Sequence, residues 1–439
     1  MNTRQLGLGM CTALVVGNTI GMGIFMQPAS LAPYGLNALT AWLAIIVGCT
    51  CLALVFAALA RKFPQADGPF DYMRTTLGEP VAFATMWSYW ISTVVTLPAL
   101  AVGVVGYFVS VFPASRALPP AVLTVSFVWL FVGVNLLGVR SGGRVQVITS
   151  LLKVVPLLLV MVLGPIAILA EPATYTANLP TTPPLGLQPS MAAAAIALYA
   201  MLGFESATVA AGRARDPERT IPRATLIGTL IVSVIYVAIV AISMLLVPQA
   251  TLATSDAPFV TITDSLLGTG YGRWIALFVV ISGLGCLNGW TLLVAELART
   301  LAIKKLMPGA MGKVNRFGAP WIGILVVGVV ATFMALMNYS DSLVDGFTKL
   351  TVIVTAANLP LYLCGSLVIF LLWQRKPGLA PPALWLAALG GLAFTAFAFF
   401  GVGMEPLLWA VGLSLAGLPI YYGMRKKHPL PAAAPAPRT

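Results

Sequence analysis

The chain has 439 residues, of which 59% are hydrophobic and 9% charged, and its formal net charge is +12. Soluble domains carry about 25% charged residues, so this composition excludes an ordinary soluble protein and predicts a polytopic membrane protein. The single histidine, His428, and five cysteines without metal or redox spacing predict no metal site and no cofactor.

Apolar runs of about 20 residues, the length that crosses a bilayer core, recur along the whole chain. They predict an all-α integral membrane fold with twelve transmembrane helices. The predicted spans are residues 6–32, 38–60, 80–112, 119–138, 145–170, 190–212, 224–247, 272–303, 319–338, 348–373, 381–402 and 406–424. No loop is long enough for a soluble domain, so we predict one transmembrane domain over 1–424 and a disordered cytoplasmic tail over 425–439.

The distribution of basic residues explains the positive charge as a topology signal. If both termini are cytoplasmic, every lysine and arginine falls inside except Arg116, Lys153, Arg273 and Lys349. Cytoplasmic loops carry this excess in membrane proteins. With no recognisable targeting segment, we expect a multi-pass protein of the bacterial inner (cytoplasmic) membrane, in contact with the lipid bilayer and without a nucleic acid partner.

Two apolar segments are interrupted by glycine-rich stretches, GNTIGMGIF at residues 17–25 and YAMLGFES at residues 199–206. Irregular backbone survives at membrane depth only where it is buried or lines a cavity. Interruptions in corresponding segments of two halves indicate a midplane substrate site of a transporter. We therefore predict a 5+5 inverted repeat, about 6–170 and 190–373, with discontinuous helices 1 and 6 and two extra helices at about 381–424.

These stretches, with DPERTIP at 216–222 and GWTLL at 289–293, give the chain a specific resemblance. It resembles the amino acid/polyamine/organocation (APC) superfamily, and within it the basic amino acid/polyamine antiporter family. The resemblance implies sodium-independent amino acid exchange by alternating access and a possible homodimer. The substrate is expected to be a cationic amino acid, such as arginine, or its amine. A proton-linked transporter or exporter of neutral apolar amino acids stays the alternative.

Half-helix ends provide the predicted contacts for the common part of an amino acid. Free N–H groups at a helix N-terminus suit a carboxylate, and free carbonyls at a C-terminus suit an ammonium, while Gly21 and Gly23 let the backbone open. By resemblance, the carboxylate is held at Met22 and Gly23. The ammonium is then held by carbonyls of Thr19, Tyr199 and Leu202.

Two charged residues within apolar spans are further candidates, because an ionisable group at membrane depth is functional by default. Glu205 lies beside the second interruption, where it would carry a proton or gate the inward path, and Tyr89 on the third segment is assigned to the same gate. Lys153 lies inside the fifth segment. By resemblance to sodium-independent relatives, its ammonium takes the place of a coupling sodium ion and braces the broken first helix.

The side-chain pocket departs from the family pattern at several positions. Tyr199 replaces a tryptophan that stacks on the substrate cation, Leu97 replaces an asparagine and Met22 a serine, whereas Trp290 is expected as an outer wall. Cation–π attraction is weaker on tyrosine, so both cationic and larger apolar substrates stay open. The remaining polar candidates on the third and tenth segments are Ser92 and Thr351.

Two other classes of membrane protein are disfavoured. An intramembrane enzyme would need a catalytic constellation, but the only histidine lies in the basic tail and no nucleophile elbow or acidic metal motif appears. A channel would need a repeated filter sequence or a ring of like charges, which we do not find. The sequence therefore predicts a transporter that is not an enzyme.

Overall fold

Helices form all the regular secondary structure of the residues that the computed structural model describes, which are 7–63, 69–138, 152–203, 216–337, 342–375 and 382–427. Among them, seven helices are long and apolar enough to cross a membrane, and a bent pair at the start makes an eighth. Four shorter apolar helices complete a set of twelve spans. The predicted twelve-helix, all-α membrane fold is confirmed.

The helices follow the predicted spans closely, with some differences at their ends. In chain order they are α1 (Leu8–Thr19), α2 (Met22–Leu31), α3 (Asn37–Lys62), α4 (Pro69–Leu77), α5 (Glu79–Val111), α6 (Pro120–Leu136), α7 (Val154–Ala170), α8 (Pro172–Thr176), α9 (Leu187–Met201), α10 (Pro217–Leu246), α11 (Gln249–Ala253), α12 (Pro258–Leu267), α13 (Gly272–Ile303), α14 (Trp321–Met337), α15 (Leu343–Arg375), α16 (Pro382–Gly401), α17 (Met404–Leu415) and α18 (Gly417–Lys427).

Helices α10 and α15 begin before the predicted spans at 224 and 348, because helical hydrogen bonding continues through polar residues that hydropathy excludes. The N–H of Thr220, for example, donates to the carbonyl of Asp216 at the start of α10. The first predicted span is divided between α1 and α2, and the last between α17 and α18. The boundaries of the two inverted repeats stay a prediction.

Two long helices, α5 and α15, form the centre of the bundle. In each, 83% of the most apolar window is buried, against 17% for the span formed by α17 and α18. Helix α2 is also central, since all ten of its residues are buried. A helix that is apolar all round belongs in such a core, so these three helices are placed to line a site inside the bundle.

Ion pairs gather at the end of the bundle that the basic residues predict to be cytoplasmic. Glu79, at the start of α5, pairs with Arg425 at 2.6 Å and with Arg74 of the short helix α4 at 3.7 Å. Asp71, also on α4, pairs with Lys304 at 2.8 Å. Helix α4 therefore connects the ends of α5 and α13 through charge pairs, and α18 is joined directly to α5.

Side-chain amides organise the opposite end. Asn37 donates to the carbonyl of Pro184 at 3.1 Å and accepts from the N–H of Gly186 at 2.8 Å. Gln249 donates to the carbonyls of Ala32 and Thr182 at 2.9 and 2.7 Å. These bonds fasten the proline-rich loop before α9 to the junction between the first two spans, above the core of the bundle.

We predict that Glu79→Gln lowers the melting temperature of the detergent-purified protein. The substitution keeps the size of a side chain that is only 9% exposed but removes the charge that Arg74 and Arg425 share. Hydrogen bonds to charged groups contribute about 1.5–3 kcal/mol each. The control is Glu405→Gln at an exposed position, and equal melting temperatures for both variants would contradict the prediction.

Candidate functional site

The first span breaks between Thr19 and Met22, with the axes of its two halves bent by 50°. Gly21 is extended, with φ −124° and ψ −159°. The last carbonyls of α1 and the first N–H groups of α2 have no intrahelical partners, and the helix dipoles make the former negative and the latter positive. The break therefore presents acceptors and donors side by side.

Lys153 occupies the acceptor side of this break. Its side chain is buried, at 3% exposed, and its Nζ donates to the carbonyl of Ile20 at 2.9 Å and to that of Gly17 at 3.5 Å. A cation at the C-terminal end of a helix is stabilised by the dipole. The lysine therefore braces the end of α1 from the start of α7.

Tyr236 holds the break from a second side. Its hydroxyl, on α10, donates to the carbonyl of Thr19 at 3.1 Å and lies against the N–H of Gly21. The ring is fully buried and packs edge-on against Trp42, with centroids 5.5 Å apart. Our sequence analysis missed this residue, since one tyrosine within an apolar span carries no signal of its own.

The second break begins where α9 ends at Met201. Leu202 is extended, with ψ 138°, and Gly203 has φ +109°, in the region that favours glycine. A Cβ on Gly203 would lie 3.4 Å from the carbonyl oxygen of Asn18. The two breaks therefore meet, while Glu205 lies outside the described residues.

Glycine also lets the two broken spans touch above this point. A Cβ on Gly23 would lie 2.9 Å from the Cβ of Ala200 and 3.3 Å from the ring of Tyr199. The side chain of Met22 packs closely against Gly103 of α5, since a Cβ on Gly103 would lie 2.8 Å from the Met22 side chain. Helices approach this closely in membranes where small residues line the contact.

A small cavity of about 30 Å³ lies at the meeting point of the two breaks. That volume is room for about one or two water molecules, so the cavity must widen to hold an amino acid. Seven of the predicted substrate contacts line it, and sequence analysis missed five other lining residues. The predicted residues are Thr19, Gly21, Met22, Gly23, Tyr199, Leu202 and Trp290, and the others are Asn18, Thr96, Leu100, Ala200 and Cys286.

The other predicted substrate contacts, Ser92, Leu97 and Thr351, do not line this cavity. Ser92 and Leu97 are buried in α5, where Ser92 donates to the carbonyl of Tyr89 at 2.7 Å. Thr351 is buried in α15 and donates to the carbonyl of Thr348 at 2.9 Å. Their roles, like those of the lining residues, stay predictions.

Contacts close the bundle on the side of the cavity that the charges predict to be external. Gln27 of α2 donates to the carbonyl of Ala197 at 2.8 Å, and Ser30 accepts from Thr348 at 2.8 Å. Tyr199 meets Phe347 edge-on, with ring centroids 5.7 Å apart. We call these contacts the outer seal.

Tyr107 of α5 adds to the outer seal. Its hydroxyl donates to the carbonyl of Phe25 at 2.6 Å and accepts from the N–H of Phe259 at 3.2 Å. The ring of Phe25 in turn packs edge-on against that of Phe259, with centroids 5.2 Å apart. Helix α12 therefore lies over α2 as part of the seal.

The profile of a family described as amino acid permease matches residues 6–423. The chain belongs to this family. It is 30% identical over 377 residues to the cadaverine/lysine antiporter of Escherichia coli, covering 84% of each chain. It is 27% identical to the putrescine transporter PotE of Haemophilus influenzae, over 95% of this chain and 97% of that one.

A putative arginine/ornithine antiporter of Bacillus subtilis is 29% identical over 396 residues, covering 83% of this permease and 84% of the relative. These relatives are transporters rather than enzymes by their names. The predicted membership of the APC superfamily, and within it the resemblance to basic amino acid/polyamine antiporters, is confirmed. The permease is a multi-pass membrane protein that takes a small-molecule substrate.

We predict that Lys153→Met reduces amino acid counterflow at least tenfold in proteoliposomes while the protein still inserts and purifies. The ammonium that neutralises the end of α1 is lost, and the carbonyl of Ile20 loses its donor. Lys349→Met, at an exposed position, is the control. Counterflow at the wild-type rate would show that Lys153 is not needed at the break.

We predict that Tyr236→Phe raises the half-saturating substrate concentration about tenfold, with less effect on the maximal rate. The substitution removes only the hydroxyl that donates to the carbonyl of Thr19. Leaving a buried polar group unsatisfied costs about 1–3 kcal/mol, and about 1.4 kcal/mol corresponds to a tenfold change in affinity. Tyr271→Phe, with a ring 58% exposed, controls for the chemical change. Unaltered half-saturation would refute the role of the hydroxyl in shaping the break.

Proposed function

We propose that this permease exchanges cationic amino acids, and the amines related to them, across a bacterial inner membrane without sodium. The observation that carries the proposal is the cavity between the ends of two broken helices. It places the N-terminus of α2 opposite the C-terminal ends of α1 and α9. An amino acid carries one charge of each sign on neighbouring atoms, and this arrangement suits both.

The position of Lys153 supports sodium independence. A sodium ion would need several oxygen ligands, and the acceptors at the end of α1 already receive a permanent positive charge from the ammonium. The protein therefore stabilises the broken helix with its own cation. The names of the relatives, which include cadaverine, lysine, putrescine, arginine and ornithine, support cationic compounds as the exchanged pair.

The outer seal supports alternating access. Its contacts join α2 to α9, α15 and α12 above the cavity, so the described arrangement is closed on that side. Opening requires these contacts to separate while the cavity closes towards the cytoplasm. We propose cytoplasmic termini from the basic residues and a homodimer from the family resemblance, which cross-linking in the membrane would detect.

A neutral apolar substrate is the second candidate, and one observation favours it. The described residues that line the cavity include Met22, Leu100 and Cys286 but no acidic side chain. A cationic side chain in this cavity must therefore be stabilised by aromatic rings and neutral oxygens. The two candidates predict different exchange partners in the same assay.

We predict that radiolabelled lysine enters sodium-free proteoliposomes that are preloaded with lysine, ornithine, arginine, cadaverine or putrescine, and not empty ones. Preloading with leucine is the matched control for a neutral substrate of similar size. Stimulation by leucine alone would replace the cationic proposal with the neutral one. No stimulation by any preload at pH 5 to 8 would remove the antiporter proposal.

We predict that Glu205→Gln makes exchange independent of pH while a measurable rate remains. The proposal assigns a proton-carrying or gating role to this carboxyl beside the second break, and glutamine keeps its shape without the titrating group. Glu171→Gln, at an exposed position in a loop, is the control. A pH profile identical to that of the wild type would take Glu205 out of the proton path.

A further inference from the structure

A turn at residues 315–319, in the loop between α13 and α14, is held by several hydrogen bonds of Asn315. Its Oδ1 accepts from the N–H groups of Phe317 and Ala319 at 2.9 and 3.1 Å, and its own N–H donates to the carbonyl of Ala319 at 2.9 Å. Its Nδ2 donates to the carbonyl of Leu136, the last residue of α6, at 2.7 Å. This segment, which we call the Asn315 turn, is therefore fixed internally and docked on the end of α6.

The Asn315 turn presents a cation and an aromatic ring to its surroundings. Arg316 is exposed, and its guanidinium carbon lies 4.6 Å from the ring centroid of Phe317, which is 46% exposed. A Cβ on Gly138 would lie 2.7 Å from the Cβ of Phe317, so the turn packs closely against the chain that follows α6. The exposed ring and guanidinium are thus held by a packed backbone rather than by a free loop.

Further apolar side chains surround this pair. Leu137 at the end of α6, Val314 before the turn and Trp321 at the start of α14 are exposed. Aromatic rings gather at the ends of membrane helices, where the acyl chains meet the lipid headgroups. The surface therefore lies at the membrane boundary, with its apolar part placed to contact lipid.

The charge of this surface is positive. The segment from residue 297 to residue 340 contains no aspartate or glutamate, and its basic residues are Arg299, Lys304, Lys305, Lys313 and Arg316. Arg299 and Lys304 are paired with carboxylates. Lys313 and Arg316 are exposed, and in the described part of the chain neither forms an ion pair. The N-terminus of α14 adds a partial positive charge, so the surface suits an anion.

We propose that the Asn315 turn and its surroundings form a binding surface for an anionic phospholipid. The phosphate contacts the guanidinium of Arg316, whose planar donors suit phosphate oxygens, and the ammonium of Lys313. The glycerol backbone and acyl chains cover Phe317 and Trp321. A lipid fits better than free phosphate, because a soluble ion leaves the apolar half of the surface uncovered. The inference does not depend on which compound the permease exchanges.

The first test measures melting temperatures of the detergent-purified protein with added phosphatidylglycerol or phosphatidylcholine of the same acyl chains. We expect phosphatidylglycerol to raise the melting temperature of the wild type by at least about 3 °C more than phosphatidylcholine, since a ligand of the folded state stabilises it. Arg316→Gln should lose more than half of this difference. Lys426→Gln, at an exposed position on α18, is the control and should keep it.

Two results of this test would overturn the proposal. An undiminished difference in Arg316→Gln, or equal losses in Arg316→Gln and Lys426→Gln, would mean that lipid binding is not centred on the turn. An equal rise in melting temperature with inorganic phosphate in place of the lipid would mean that a free anion is sufficient.

The second test examines the apolar half of the surface by native mass spectrometry, which counts the phosphatidylglycerol molecules that stay bound. We expect fewer bound molecules on Arg316→Gln and Phe317→Ser than on the wild type and Lys426→Gln. Phe317→Ser keeps the charge of the turn and the hydrogen bond that the backbone N–H of residue 317 donates. Retention at the wild-type level in Phe317→Ser would show that the ring does not contact the lipid and would overturn the proposal.

Discussion

The structure depends on the backbone groups exposed where the first membrane helix is interrupted. Lipid provides no hydrogen-bond partner for them, so each group must be satisfied within the protein or by what it binds. Lys153 donates a hydrogen bond to the carbonyl of Ile20, and Tyr236 donates one to the carbonyl of Thr19. Tyr236 also lies against the N–H of Gly21, but among the described residues no acceptor lies against the N–H groups of Met22 and Gly23. The break is therefore braced on its negative side and available for an anion on its positive side.

Lys153, at the start of α7, and Tyr236 of α10 provide these partners from two neighbouring helices. A buried ammonium is costly at membrane depth unless it is paired, and Lys153 is paired with the end of a helix rather than with a carboxylate. The pairing persists only while α1 stays in contact with α7. Movement of α1 and stabilisation of Lys153 are therefore coupled, which gives a physical link between substrate binding and the change of access.

Much of the site could be predicted from sequence because it is built from backbone. The glycines at 21 and 23 and the motif that ends at Gly203 mark irregular helices directly, and cavity residues such as Thr19 and Leu202 follow from them. Side-chain contacts were harder to predict. Tyr236 reaches the break of the first span and Cys286 reaches the cavity, both from helices distant in sequence, and no local pattern distinguishes them from core residues.

On α5, the residue predicted to contact the substrate differs from the residues that line the cavity, and the register of the helix explains why. The family resemblance selects Leu97, whereas Thr96 and Leu100 line the cavity. Ser92, Thr96 and Leu100 are four residues apart and share one face of the helix, while Leu97 is turned away from Thr96 by about 100°. Thr96 and Leu97 are adjacent in sequence, but Thr96 lines the cavity whereas Leu97 is a buried packing residue.

A structure of the protein with bound lysine would show whether the two helix breaks hold the two charges of an amino acid. We expect the carboxylate within hydrogen-bond distance of the N–H groups of Met22 and Gly23, and the α-ammonium at the carbonyls that end α1 and α9. Lys153 should keep its bond to Ile20. Lysine bound elsewhere, or with its carboxylate on Lys153, would show that the helix breaks do not form the substrate site.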